Sequence, residues 1–434
     1  MKETKKLYGV IEEHPAVSFV MDDFQCVFIN TAVDKKEPEC LSLHHGYIVG
    51  RTTEGRYIYI YSHCDIHVHR KATLNTWLYI VSSRPALEQF EGVSFRSGIL
   101  NKLFYKSALE FDYDDSSYKK VKYKDDKEIY SLTNDKIKGM LSISSMVCES
   151  MSVEKGDSLA TTGTELSLAF DEPKDIQIFP QIYGYVMNLC QFMAFRKNIG
   201  FETIVLEEKN DMYPGMYNEK AQCYVRSEYA SFTAKSIVSC LTFNILGRCV
   251  DGLLSSIVDN KPKKPQFNLG YIPENDKDVN IVTGIKIREL CSALESEMEL
   301  AKITVDQEAE FEKLLQQLRD IVKAHRDGEN PITDPKAYDY ILGSLGHLTG
   351  ALADRIEKCF IMYQPLMGEW VSRRQIDELV RYRNTITHGS FMQLNGELAE
   401  TTYVLMKLVY CCVLKRIGMQ DEQIKDVMQR RLIS

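Results

Sequence analysis

The feature that most constrains the fold is a change of hydrophobic period partway along the chain. In the first two hundred residues, short runs rich in Tyr, Ile, Val and Phe alternate with turn residues: FQCVFIN, GYIVG, GRYIYIYSH, TWLYIVS, KGMLSISS and TELSLAF. Leu166, Leu168 and Phe170 keep a strict spacing of two. Successive side chains of a strand point to opposite faces, so this spacing marks a strand with one buried face. DIQIFPQIYGYVMNLCQFMAFRKN then predicts a helix after Pro180, and FETIVLEE a closing strand. Past the turn-rich NDMYPGMYNE the period changes, and apolar residues recur three and four apart, as a helix with one buried stripe requires.

The expected fold class is therefore α+β. Residues 1–208 form a β-rich, sandwich-like domain, 219–276 a helical segment with the proline-punctuated connector DNKPKKPQFNLGYIPEND, and 277–434 an all-α bundle. The bundle helices are read in IVTGIKIRELCSALESEMELAKI, EAEFEKLLQQLRDIVKAHRDG, PKAYDYILGSLGHLTGALADRIEKCFIMY, SRRQIDELVRYRNTIT and ELAETTYVLMKLVYCCVLKRIG. A length of 434 residues agrees, being too great for one ordinary core.

A formal charge of −8 gives no global attraction for nucleic acid, so any polyanion site must be a local patch. The twelve cysteines are scattered apart from Cys411-Cys412, with no CxxC pair, and most sit in apolar runs as small buried hydrophobes. MKETKKLYGV has no apolar stretch of signal-peptide length, and the runs at 403–414 and 236–258 are respectively too short and interrupted by Arg248, Asp251 and two glycines. A cytoplasmic protein without membrane partners is expected. No glycine-rich phosphate loop, HExxH, GxSxG or dinucleotide fingerprint occurs.

Two constellations carry chemistry. In HCDIHVH, residues 63–69, an extended strand would turn His63, Asp65, His67 and His69 to one side, as strand-borne metal ligands are arranged. A solvated strand face explains the same residues without a fourth ligand or a partner, so neither metal nor cofactor is expected.

The second is RYRNTITHG, residues 381–389. Arg373, Arg374, Arg381 and Arg383 put four guanidiniums within eleven residues of an acidic chain, a local field suited to phosphates, with Arg381 and Arg374 as substrate-binding groups. His388 can take and give a proton near neutral pH. An arginine with a histidine suffices to cleave RNA through its own ribose hydroxyl: the histidine deprotonates that hydroxyl or protonates the leaving oxygen, and the arginine offsets charge on phosphorus oxygens. On a regular helix Arg381 and Asn384 lie within roughly 20° and 40° of His388, and Arg383 about 140° away. Either the helix breaks in the β-branched Thr385-Ile386-Thr387 run or two chains pool their residues. His388-Gly389 also reads as an ordinary helix C-terminus.

RNTITH, an arginine and a histidine separated by four residues near the end of a helical bundle, resembles the HEPN ribonuclease motif. The wider pattern resembles the ApeA-type HEPN proteins of bacterial antiphage defence, with IRELCSALESE as the first bundle helix and DELVRYRNTITHG as the motif helix. The resemblance implies metal-independent RNA cleavage, tRNA being one substrate class, by a homodimer or higher oligomer whose paired motifs form one cleft. It also implies abortive infection, with a phage-derived trigger sensed by the N-terminal domain. Residue by residue it assigns Arg383, Asn384 and His388 to catalysis. Arg381 satisfies the family's looser spacing, and Gly389 stands where many relatives carry an aromatic or polar group. The alternative is a non-catalytic HEPN module binding RNA, nucleotide or a protein. His347 reads as structural, and Glu295 either orients His388 or faces water.

Overall fold

The computed structural model describes residues 6–31, 40–104, 109–113, 119–123, 126–151, 158–213, 215–227, 240–261, 265–304, 309–328, 330–334, 336–347, 352–390 and 392–429. They fall into two compact units, Met1–Val258 and Asp259–Ser434, strand-rich and helical respectively. This is the α+β division that the change of period predicts.

The strands of the first unit are β1 (Leu7–Ile11), β2 (Val17–Asp22), β3 (Gln25–Asn30), β4 (Leu41–Leu43), β5 (Gly46–Thr52), β6 (Tyr57–Ser62), β7 (Ile66–Val68), β8 (Lys71–Asn75), β9 (Leu78–Ser82) and β10 (Gln89–Arg96). They continue with β11 (Leu109–Tyr113), β12 (Lys119–Tyr123), β13 (Lys127–Leu132), β14 (Gly139–Met151), β15 (Ser158–Asp175), β16 (Thr203–Lys209) and β17 (Tyr217–Val225). Its helices are α1 (Leu100–Leu103), α2 (Phe179–Ala194), α3 (Phe243–Leu246) and α4 (Cys249–Val258). Thirteen strands join in the antiparallel order β13-β14-β15-β10-β16-β17-β9-β6-β5-β1-β2-β3-β8, beside the ribbons β11-β12 and β4-β7.

Alternation sets the core directly. β2 buries Val17, Phe19 and Met21, which meet Cys26, Phe28, Ile48, Ile58, Ile60, Ile66 and Val68 in one apolar cluster. The Phe19 ring needs two glycines beneath it. A Cβ on Gly9 would stand 2.6 Å from Phe19 Cε1 and 2.1 Å from the Arg51 carbonyl oxygen, and one on Gly50 would stand 2.7 Å from the same ring atom. In the other half, Val93 of β10 pairs with Leu168 on one side and Leu206 on the other, and Phe179 of α2 meets Phe90 edge-on at 6.3 Å.

The sheet also takes in residues that read as a linker and a helical segment. The turn-rich NDMYPGMYNE, residues 210–219, follows β16 directly and its last three residues open β17, an interior strand between β16 and β9. Only Ala221 and Cys223 of β17 are buried, so its polar sequence carries little strand signal. The segment expected over 219–276 is thus no unit of its own. α4 belongs to the first unit, where the Asp251 carboxylate accepts from Thr133 N at 3.0 Å and Thr133 Oγ1 at 2.8 Å. Residues 228–239, expected to open that helix, lie outside the described residues.

The second unit holds α5 (Gly284–Leu300), α6 (Ala309–Arg326), α7 (Lys336–His347), α8 (Leu352–Met367), α9 (Arg373–Thr387), α10 (Gly396–Arg416) and α11 (Asp421–Gln429). α10 buries residues on every side, from Leu398 to Leu414, and α5, α8, α9 and α11 pack around it. Of the stretch read as one helix over 335–363, the described residues form α7 and α8, and 348–351 lie outside the described residues. α11 was not among the helices expected, since nine residues are few for a periodicity.

Gly9→Ala is expected to destabilise the first unit by about 1–3 kcal/mol, because neither the Arg51 carbonyl nor the buried Phe19 ring has room to retreat. Gly184→Ala, on α2 with nothing within 4 Å of the added Cβ, is expected to be neutral or stabilising by up to about 1 kcal/mol. Urea melts of the two variants check the contrast.

Candidate active site

Helix α9 and its C-cap carry Arg381, Arg383, Asn384 and His388, and the local sequence fixes both ends. At the start, the Ser372 hydroxyl accepts from the Gln375 backbone N–H while the Gln375 side chain accepts from Ser372 N, a reciprocal capping box. Ile376, Leu379 and Tyr382 form the buried stripe, and Ile386 continues it toward Gly284 of α5. The β-branched run does not break the helix. Thr385 Oγ1 donates to the Arg381 carbonyl at 2.8 Å and Thr387 Oγ1 to the Arg383 carbonyl at 2.7 Å, so both threonines bond back onto the turn that crowds them.

His388 is the C-cap, followed by Gly389 at φ 78°. Gly389 N donates to the Ile386 carbonyl and Ser390 N to the Thr385 carbonyl, both at 3.1 Å. This is a Schellman termination, and it accounts for glycine where an aromatic or polar group was expected by resemblance: only a residue without Cβ adopts that φ freely.

Because the helix is regular, the motif divides between two faces. Arg381, Asn384 and His388 share an exposed face at its C-terminal end, and among the described residues the side chains of Arg381 and His388 have no ion pair or hydrogen bond. Arg383 turns away, toward α5. Its Nη2 lies 3.4 Å from each carboxylate oxygen of Glu295, and its Nη1 donates to Asn384 Oδ1 at 3.1 Å. Its Nε is buried without a partner. Burial pushes the neighbouring Cys291 thiol up to about 12, against the opposing pull of the Arg383 charge. Cys291 there is a small apolar filler.

The other two arginines are bound to acids. Arg373 reaches Asp354 at 2.5 Å, Glu357 at 2.8 Å and Asp377 at 2.9 Å, contacts that raise its pKa further, Glu357 foremost. Arg374 is paired with Glu397 in the first turn of α10. Glu295, which sequence reasoning placed either against His388 or in water, instead partners Arg383. Nothing local signals that pairing, since 88 residues separate the two. His347 is the last residue of α7.

The histidine-rich strand is not continuous. β7 is only Ile66–Val68, with both ends buried and His67 outward. His63 Nε2 accepts from Trp77 Nε1 at 3.0 Å, His67 Nδ1 is 3.0 Å from Ser42 Oγ, and Asp65 accepts from His45 N at 2.7 Å and meets His45 Nδ1 at 3.0 Å. That backbone N–H is the main reason the Asp65 carboxyl is held below its ordinary value. Among the described residues no three His, Cys, Asp or Glu side chains are gathered as a metal ion would require, and no helix is long and apolar enough to cross a membrane. Neither protein-family models, nor curated proteins, nor solved structures yield a match to this chain.

Gly389→Val is expected to cost about 1–2 kcal/mol of stability, since a β-branched residue is strained at φ 78°. Gly396→Ala, inside α10 with nothing within 4 Å of the added Cβ, serves as the control and should hold its melting temperature.

Proposed function

We propose that the helical unit is a metal-independent endoribonuclease of the HEPN type, and that His388 with Arg381, Arg383 and Asn384 carries the reaction. The observation that supports this most is the shared exposed face of Arg381, Asn384 and His388 at the end of α9. A proton-transfer group, a fixed positive charge and an amide on one exposed helix face are the group types that cleavage through the ribose hydroxyl demands. In that reaction one His388 imidazole removes the 2′-hydroxyl proton. The oxygen forms a bond to phosphorus, the bond to the 5′-oxygen breaks, and a protonated imidazole supplies the proton to the leaving oxygen. The products are a 2′,3′-cyclic phosphate and a 5′-hydroxyl, with no redox change and no water consumed.

Arg383, on the far side of the helix from His388, serves the site of a second copy in this reading, so the enzyme is a homodimer or larger. Host or phage RNA, tRNA included, is the substrate, and cleavage halts growth during phage infection. The first unit senses the trigger, and the protein acts in the cytoplasm. The contact between Arg383 and Glu295 favours one competing reading, a module that binds RNA, nucleotide or protein without cleaving, because there the arginine is already neutralised by an acid.

RNA from cells expressing the wild type should be fragmented with cyclic-phosphate ends. His388→Ala should slow cleavage roughly 100-fold or more while RNA binding stays nearly constant. Arg383→Lys should recover little, because an ammonium lacks the planar fork. RNA equally intact with wild type and His388→Ala, in cells where phage has supplied the trigger, hands the case to the binding module.

A further inference from the structure

The ion pair between Arg383 and Glu295 is built unlike the other arginine pairs of the helical unit. Arg416 sets Nε at 2.9 Å and Nη2 at 2.8 Å from the Glu297 carboxylate, and Glu297 is 3% exposed. Arg373 meets three acids at 2.5, 2.8 and 2.9 Å. Arg383 instead shares one nitrogen, Nη2, between both Glu295 oxygens at 3.4 Å, and among the described residues its buried Nε has no partner. An unpaired buried donor on a charged group is costly, and contacts as long as 3.4 Å offset little of that cost.

The contact is also open to exchange. The Arg383 and Glu295 side chains are 27% and 37% exposed, so a solute anion can reach the place where they meet. Arg383 Nη1 donates to Asn384 Oδ1 at 3.1 Å, and Asn384 belongs to the exposed face of α9 with Arg381 and His388. The guanidinium therefore lies one hydrogen bond from the face proposed to meet RNA. A phosphodiester offers two oxygens to the guanidinium fork, a bidentate geometry that Glu295 does not achieve here.

We propose that Glu295 is a mask: in the free protein its carboxylate stands on Arg383 where an RNA phosphate binds, and RNA binding exchanges the one anion for the other. Glu295 is a positioning residue, acting on RNA only through Arg383. The mask rests on the α9 face being an RNA site, and it holds whether the RNA is then cut or only bound. An arginine neutralised within its own chain is in this way still available to RNA.

The test is the RNA affinity of the full chain, by fluorescence anisotropy with a labelled single-stranded RNA across a salt series. His388→Ala is present throughout, so that nothing is cut. Glu295→Gln removes the charge at constant size and should bind roughly two- to fivefold tighter, the worth of a part-exposed ion pair. Its log–log salt slope should be steeper by about 0.7, one further phosphate contact on a single strand. In an Arg383→Ala background the same substitution should change neither quantity. Circular dichroism and melting temperature should hold, and Glu295→Ala should repeat the gain. Unchanged or weaker affinity of Glu295→Gln overturns the mask. So does an equal gain in the Arg383→Ala background, which reports only the loss of a negative charge. RNA bound by no variant overturns the mask and the RNA site together. The chemistry is judged apart, with His388 restored: tighter binding by Glu295→Gln without cyclic-phosphate ends upholds the mask and overturns the ribonuclease.

Discussion

One buried ion pair sets the frame of the helical unit. Glu297 on α5 is 3% exposed, and its carboxylate receives Arg416 of α10 through Nε at 2.9 Å and Nη2 at 2.8 Å. The second Nη2 bond, 2.9 Å to the Gln266 carbonyl, draws the segment before α5 into the same contact. Burial pushes the Glu297 carboxyl above its ordinary value even though Arg416 pulls the other way, which shows how much desolvation the pair absorbs. Such a pair adds little net stability, but a slip of α5 on α10 would bury an uncompensated charge, which disfavours other registers.

From that register the position of Arg383 follows. Two residues back from Glu297 is a rotation of about 200° on α5, so while Glu297 faces α10, Glu295 emerges on the side of α9. There it meets Arg383 at 3.4 Å, a long contact that leaves Nε unpartnered. The same logic thins the positive patch. Arg373 answers Asp354, Glu357 and Asp377, and Arg374 answers Glu397. Arg383 also donates to Asn384, and the arginine on the exposed face with His388 is Arg381. Of four guanidiniums close in sequence, three are thus paired with acids, Arg374 only at the surface, and Arg381 is the one of the four without an acid partner among the described residues.

The first unit depends on a different constraint, close backbone approach. β1 and β5 come near β2 because Gly9 and Gly50 make a flat seat for Phe19, and the rest of the cluster packs around that ring. Its far strands are tied by α2 and α4, the latter through Asp251 and Thr133. This is why a segment that looks like the start of a helical region ends inside the sheet-bearing unit.

Local patterns alone determined the faces and the ends of elements. Leu166, Leu168 and Phe170 are all buried, as their spacing of two requires. Ser372 with Gln375 opens α9 and His388-Gly389 closes it, because caps are written in the few residues that form them. The α+β division and the shared face of Arg381, Asn384 and His388 were legible for the same reason, periodicity being a property of the backbone. What tertiary structure alone decided is who meets whom. The strand identity of β17 comes from β16 and β9 on either side, the orientation of Arg383 from a glutamate 88 residues away, and the register of α5 from an arginine 119 residues away. A local period reports that a side chain will be buried or exposed. It contains no term for the distant charge or strand that satisfies it.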